Sequence, residues 1–158
     1  MQKNIWFDMD GTVADLYGVQ GWLDMLRNEN ATPYEIAKPL CNMRQLARQL
    51  NKLIKKGYTI NIVTWLAPHI SHTYRAKIIH AKKQWLHKHL KSVQFMNIDI
   101  LEYGTPKQVD RNGILFDDEP NNRNTWNGKA YNVNDIIGVL KSLWYHLIIK
   151  VKSAIIII

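Results

Sequence analysis

Between Ile36 and Ile98 the chain has no aspartate or glutamate, while Lys38, Arg44, Arg48, Lys52, Lys55, Lys56, Arg75, Lys77, Lys82, Lys83, Lys88 and Lys91 supply twelve positive charges there. The rest of the chain sets nine lysines and arginines against all thirteen carboxylates, so the net charge of +8 comes from a basic middle between acidic flanks. Such a field favours phosphate-bearing partners, nucleic acid among them; the plainer account is a solvated, solubilising face. Cysteine is nearly absent. Cys41 alone forms no internal disulfide, and the start MQKNIWFDMDG lacks the long apolar stretch of a secretory leader, so a reducing cytoplasm is the expected setting. Long apolar runs are missing as well. The final LIIKVKSAIIII is broken by Lys150 and Lys152 and falls short of the ~20 apolar residues of a membrane span. A membrane role is therefore disfavoured, and residues 148–158 are expected to be an apolar tail, packed or disordered, beyond a domain spanning 1–147.

What is present suits one globular domain: 158 residues, 46% hydrophobic and 22% charged. The apolar run at residues 4–8 predicts a buried strand. Leu40, Met43, Leu46, Ala47, Leu50, Leu53 and Ile54 fall at three-four spacing and predict a helix over 40–56 that ends at Lys55-Lys56-Gly57. The β-branched and aromatic stretch 58–65 predicts a second strand. Pro68 and Ser71 open a helix with an expected buried stripe of Ala76, Ile79, Lys83 by its stem, Trp85, Leu86 and Leu90. Further strands are expected at 93–98, 113–117 and 129–133, followed by a helix capped by Asn134-Asp135 and running to Leu147. Strands alternating with helices predict a three-layer α/β domain on a mostly parallel five-stranded sheet.

In such sheets ligands bind beyond the carboxyl ends of the strands. Asp8 stands at one such end, Asp117 and Asp118 at another, and Thr64 at a third; Lys107 precedes the strand that leads to the acidic pair. Taken singly, an Asp-x-Asp after an apolar run also serves as a turn or helix cap, and Asp117-Asp118-Glu119-Pro120 as solvated loop. Together the carboxylates call for a hard divalent cation that offsets their repulsion, and Mg²⁺ suits them. Asp8 and Asp118 are the expected direct ligands. Asp10 is expected to offer its backbone carbonyl, which leaves its side chain for proton transfer, and Gly11 lets the chain leave the strand sharply. Trp65, directly after Thr64, is expected either to wall the pocket or to pack in the core. Five of the six histidines crowd the stretch after Thr64, where a surface helix accounts for them better than a zinc site.

At these residues the sequence resembles the haloacid dehalogenase (HAD) superfamily of phosphotransferases. The resemblance runs from Ile5 to about Leu147 and rests on Asp8-Met9-Asp10-Gly11-Thr12, on INIVT ending at Thr64, on Lys107 in YGTPKQ and on ILFDDE with Asp117 and Asp118, in that order. It implies a Rossmann-like fold and a phosphoric monoester hydrolase. Asp8 would be the nucleophile that forms an aspartyl-phosphate, and Asp10 the acid-base group. Thr64 would bind a phosphoryl oxygen, Lys107 would neutralise charge shared by Asp8 and phosphate, and Asp117 would orient a metal-bound water behind the ligand Asp118.

The same resemblance places a small cap insert at about 17–38, where Tyr17, Trp22, Leu23, Met25, Leu26 and Tyr34 either cover a flat substrate or form a small helix packed on the core. FDMDGTVADL with so small an insert most resembles the 5'(3')-deoxyribonucleotidase branch and the short HAD-like hydrolases of phages and bacteria. A nucleotide or other small phosphomonoester is the expected substrate. The alternatives are a phosphatase acting on nucleic-acid ends, as in the phosphatase half of polynucleotide kinases, and a HAD-fold binding protein without catalysis.

Overall fold

The computed structural model describes residues 3–155, with side chains from Lys3 to Tyr145. Five parallel strands form one sheet in the order β5-β4-β1-β6-β7: β1 Asn4–Phe7, β4 Thr59–Trp65, β5 Phe95–Leu101, β6 Gly113–Phe116 and β7 Gly128–Tyr131. The domain is thus the expected α/β type, and its central strand β1 is the one that carries Asp8 at its end.

Alternation along the strands divides the core. Ile5, Phe7, Ile60, Ile62 and Phe116 face α3 (Met43–Ile54), α4 (His72–Leu90) and α6 (Ile136–Ile155), meeting Leu46, Leu50, Leu53, Trp85 and Leu140. Each such leucine removed from water is worth about 1.5–3 kcal/mol. The intervening residues Trp6, Val63 and Leu115 face the other way and pack with Trp126, which follows the short helix α5 (Pro120–Thr125).

Several boundaries differ from the sequence expectation. Helix α3 starts at Met43, because the Asn42 side chain accepts from the Gln45 N–H at 3.0 Å and caps it there; Leu40 stays outside and exposed. Strand β5 extends through Asp99 to Leu101, since Arg111 pairs with Asp99 at 2.7 Å and lets a carboxylate sit within a strand. Helix α4, capped by Ser71 accepting from the Tyr74 N–H, buries Tyr74, Ile78, Ala81, Lys82, Trp85, Leu86 and Leu90. Ala76 and Lys83 of the expected stripe point outward, and Ile79 is half-buried. Helix α6 runs past Leu147 to Ile155, so the expected tail continues its backbone, and residues 156–158 lie outside the described residues. No helix among the described residues is long and apolar enough to cross a membrane.

The stretch between β1 and α3 leaves the core through a two-stranded antiparallel pair, β2 Ala14–Asp15 with β3 Lys38–Pro39. Between them lie two short helices, α1 Trp22–Arg27 and α2 Thr32–Ile36. Tyr34, Leu16 and Ala31 pack with Tyr74, Ile78 and Ala81 of α4, which fastens this insert over the carboxyl ends of β1 and β4.

Candidate active site

The turn after β1 is set by hydrogen bonds before any side chain acts. Asp8 N–H donates to the Phe116 carbonyl at 2.9 Å, extending the β1–β6 ladder by one residue, and the Met9 carbonyl accepts from the N–H groups of Thr12, Val13 and Ala14. Gly11 makes the bend at φ 77°. A Cβ there would lie 2.5 Å from Asp118 Oδ2 and 2.7 Å from the Tyr17 ring, so both the backbone conformation and the crowding require glycine.

This turn brings Asp8 against the end of β6. Lys107 Nζ lies 2.9 Å from Asp8 Oδ1 and 2.8 Å from Asp117 Oδ2, bridging two buried carboxylates. Asp117 also accepts from the Glu119 N–H at 2.9 Å and from Asn122 Nδ2 at 3.1 Å and 3.2 Å, so its oxygens are occupied by protein donors. Asp118 is less engaged: its backbone N–H donates to Thr12 Oγ1, whose hydroxyl lies 3.3 Å from Asp118 Oδ1 and 3.5 Å from Asp8 Oδ2. One oxygen from each of Asp8, Asp117 and Asp118 falls within 4.8 Å of the others. Burial, then the charges of Asp8 and Asp117, push the Asp118 carboxyl up to about 6, and burial followed by Asp8 raises Asp117 above the usual range as well. Burial opposes the charge on Lys107, but Asp8 and Asp117 together hold its ammonium above its ordinary value. Such a corner, with more negative charge than one lysine offsets, suits a hard dication with oxygen ligands.

Asp10 lies apart from that cluster, on the side of β4. Lys82, fully buried on α4, donates to Asp10 Oδ2 at 2.6 Å, Thr64 Oγ1 at 2.9 Å and the Trp65 carbonyl at 2.7 Å, which accounts for all three protons of its ammonium. The Tyr34 ring from the insert covers it, 5.1 Å from Nζ to the ring centre. Burial raises the Asp10 carboxyl above its usual range, with Lys82 pulling against that shift and Asp8 adding to it.

These groups floor a cleft of about 380 Å³. Asp8, Asp10, Thr64 and Lys107 lie at its base. Trp65, with its Nε1 on the Thr105 carbonyl and Tyr103 tilted against it at 5.5 Å, makes one wall. Tyr17 and Trp22, edge to face at 5.1 Å, bring the insert to the other side, with Leu23, Leu26 and Arg27 beside them. Met25 does not reach the lining. Asp8, Asp10, Thr64, Trp65 and Lys107 therefore meet in one cleft, and Asp117 and Asp118 adjoin Asp8.

Sequence reasoning missed four residues. Lys82 was visible in principle, because Tyr74, Ile78, Lys82 and Trp85 follow one helical stripe and a lysine on a buried stripe needs an acceptor. Thr12 enters the sequence reading only as the last residue of the Asp8-Met9-Asp10-Gly11-Thr12 stretch. Asn122 and Arg123 carry no sequence signal; Arg123 Nη1 donates to the carbonyls of Asp117 and Asp118 at 2.7 Å and 2.6 Å and fixes the acidic turn.

Sheet order and the strand ends that form the cleft define a Rossmann-like α/β fold. The crystal structure of D,D-heptose 1,7-bisphosphate phosphatase from Burkholderia thailandensis is similar to this chain with a TM-score of 0.53 at 9% sequence identity, covering 90% of this chain and 99% of that one. At that identity the likeness is one of fold. No family model matches the sequence, and no curated protein is significantly similar to it.

Proposed function

We propose that this chain is a phosphatase of the HAD superfamily, a Mg²⁺-dependent phosphoric monoester hydrolase that works through an aspartyl-phosphate on Asp8, with a nucleotide as its substrate. The observation that carries the reading is the division of two carboxylates two residues apart between two buried lysines: Asp8 with Lys107, Asp10 with Lys82 and Thr64. A phosphoryl group entering the cleft would meet a carboxylate oxygen of Asp8 and the hydroxyl of Thr64. Asp8 attacks phosphorus as the bond to the leaving oxygen breaks, and Asp10 gives that oxygen a proton. Asp10 then takes a proton from water as the water attacks the aspartyl-phosphate, releasing phosphate and restoring the Asp8 carboxylate. Lys107 stays in place throughout and offsets the charge that Asp8 and phosphate share.

Asp8, Asp118 and the Asp10 carbonyl would hold Mg²⁺, with Asp117 held behind them by Lys107 and Asn122. The bound ion would screen the repulsion between phosphate and the carboxylates.

Support for a nucleotide comes from the walls. Trp65 and Tyr103 on the core, with Tyr17 and Trp22 on the insert, present flat apolar faces suited to a base, and about 380 Å³ lies within the range of small-ligand clefts. The similar crystal structure is of a phosphatase named for a sugar bisphosphate, which supports the same chemistry on a small phosphomonoester. A panel of nucleoside monophosphates, sugar phosphates and a generic aryl phosphate tests both parts. Turnover with Mg²⁺, its loss in EDTA and a drop of at least about 10³-fold in Asp8→Asn are expected. Undiminished turnover by Asp8→Asn would overturn the mechanism, and a preference for sugar phosphates would overturn the substrate.

A further inference from the structure

Away from the cleft, α3 and the last turn of α4 enclose a second concave surface of about 550 Å³, lined by Arg44, Arg48 and Asn51 on one side and Lys88, His89 and Lys91 on the other. No carboxylate lines it. Among the described residues none of its four cations joins a salt bridge; Arg48 uses only its Nε, on the Arg44 carbonyl of its own helix.

Two features set this apart from ordinary surface lysines. Cations at the end of α4 sit where the helix dipole favours them, but Arg44 stands in the first turn of α3, where it does not, and that turn holds no acid. Like charges gathered from two elements without an internal counterion raise the free energy of the fold, which an external polyanion relieves. Arg44, Arg48, Lys52 and Lys55 also continue as one exposed ridge, spaced by four, four and three residues over about 16 Å of helix.

The choice of polyanion follows from what else lines the groove. None of the large exposed hydrophobic side chains belongs to it, so nothing there would insert into a lipid surface. Instead the half-buried His89 ring lies on Trp85 with ring centres 4.5 Å apart, and burial, then Lys88, lowers its pKa, which leaves a neutral flat face for stacking. We propose that the α3–α4 groove binds single-stranded nucleic acid, its four cations on the phosphates and His89 against a base. Nothing in this depends on the phosphatase reading of the cleft.

Fluorescence anisotropy of a short labelled oligothymidylate with the full chain in EDTA is the test. Four phosphate contacts give a log–log salt slope of about −3, hence a loss of affinity of about 50-fold between 50 and 200 mM salt. The double substitution Arg48→Glu/Lys88→Glu should weaken binding at least 10-fold and flatten the slope. Lys129→Glu, on the exposed edge strand, should leave it unchanged, and melting temperatures check that all variants fold. Asp8→Asn should bind as wild type, so the failure of one proposal is distinguishable from the failure of the other. Absent binding, binding indifferent to the double substitution, or equal double-substitution-sensitive binding of duplex DNA, heparin or anionic vesicles would each overturn the proposal.

Discussion

Lys82 holds together what the strand ends leave separate. With its three protons on Asp10, Thr64 and the Trp65 carbonyl, it fixes the rotamer of the proposed acid-base group and turns the Thr64 hydroxyl. Lys82→Met removes one partner of a buried ion pair. A loss of about 3 kcal/mol in urea unfolding is expected, with kcat for an aryl phosphate falling about 10²-fold at nearly constant KM. A rise in KM alone, with kcat intact, would show that Lys82 binds phosphate and does not position Asp10. The strand-end residues Asp8, Thr64, Asp117 and Asp118 were legible because apolar runs mark where strands stop. Lys82 was not, because a one-residue error in the helical stripe exchanges it for Lys83. Thr12 and Arg123 act across 106 and up to 6 residues of chain, on oxygens that no local pattern reveals.

Elements matter here through how the insert is tied down. Trp85, almost wholly buried on α4, donates its Nε1 to the Ala37 carbonyl at 2.7 Å, where the insert returns to the core. Trp85→Phe keeps most of the ring but leaves that carbonyl unpaired, for an expected cost of about 1–3 kcal/mol; Trp85→Ala adds a cavity, for about 3–5 kcal/mol. Equal losses in the two variants would mean the hydrogen bond contributes all of it. The five strands and the helices α3, α4 and α6 followed from apolar runs and stripes of period 3.6, and the small insert from the family resemblance, whereas the strand order and α5 had no such signal and the ends of α3 and β5 moved with a cap at Asn42 and a pair between Asp99 and Arg111. Such ends depend on single polar contacts, one local and one distant, and periodicity does not register either.

For the whole molecule the consequence is a fold that gathers carboxylates at one corner and cations on another face. In the metal-free protein Asp118 titrates near 6, above its ordinary 3.8, so the folded state holds more protons than the unfolded one between those values. Its contribution therefore favours folding at low pH and is lost as pH rises through about 6. In EDTA, the melting temperature of wild type relative to Asp118→Asn is expected to fall from about pH 4 to about pH 7. Saturating Mg²⁺ should restore it at the higher pH in wild type and much less in the variant, because an ion that binds only the folded state stabilises by mass action. A parallel pH course for the two proteins would sink this account. The sequence by itself determined the α/β class, the order of the strands' polar tips and the segregation of charge, since these depend on residue type and spacing along the chain. Only the tertiary structure decided that Lys107 faces Asp8 while Lys82 faces Asp10, and that Arg44 and Arg48 meet Lys88 and Lys91 across a groove. Those pairings depend on the angles at which helices cross a sheet, and packing of the whole core sets them.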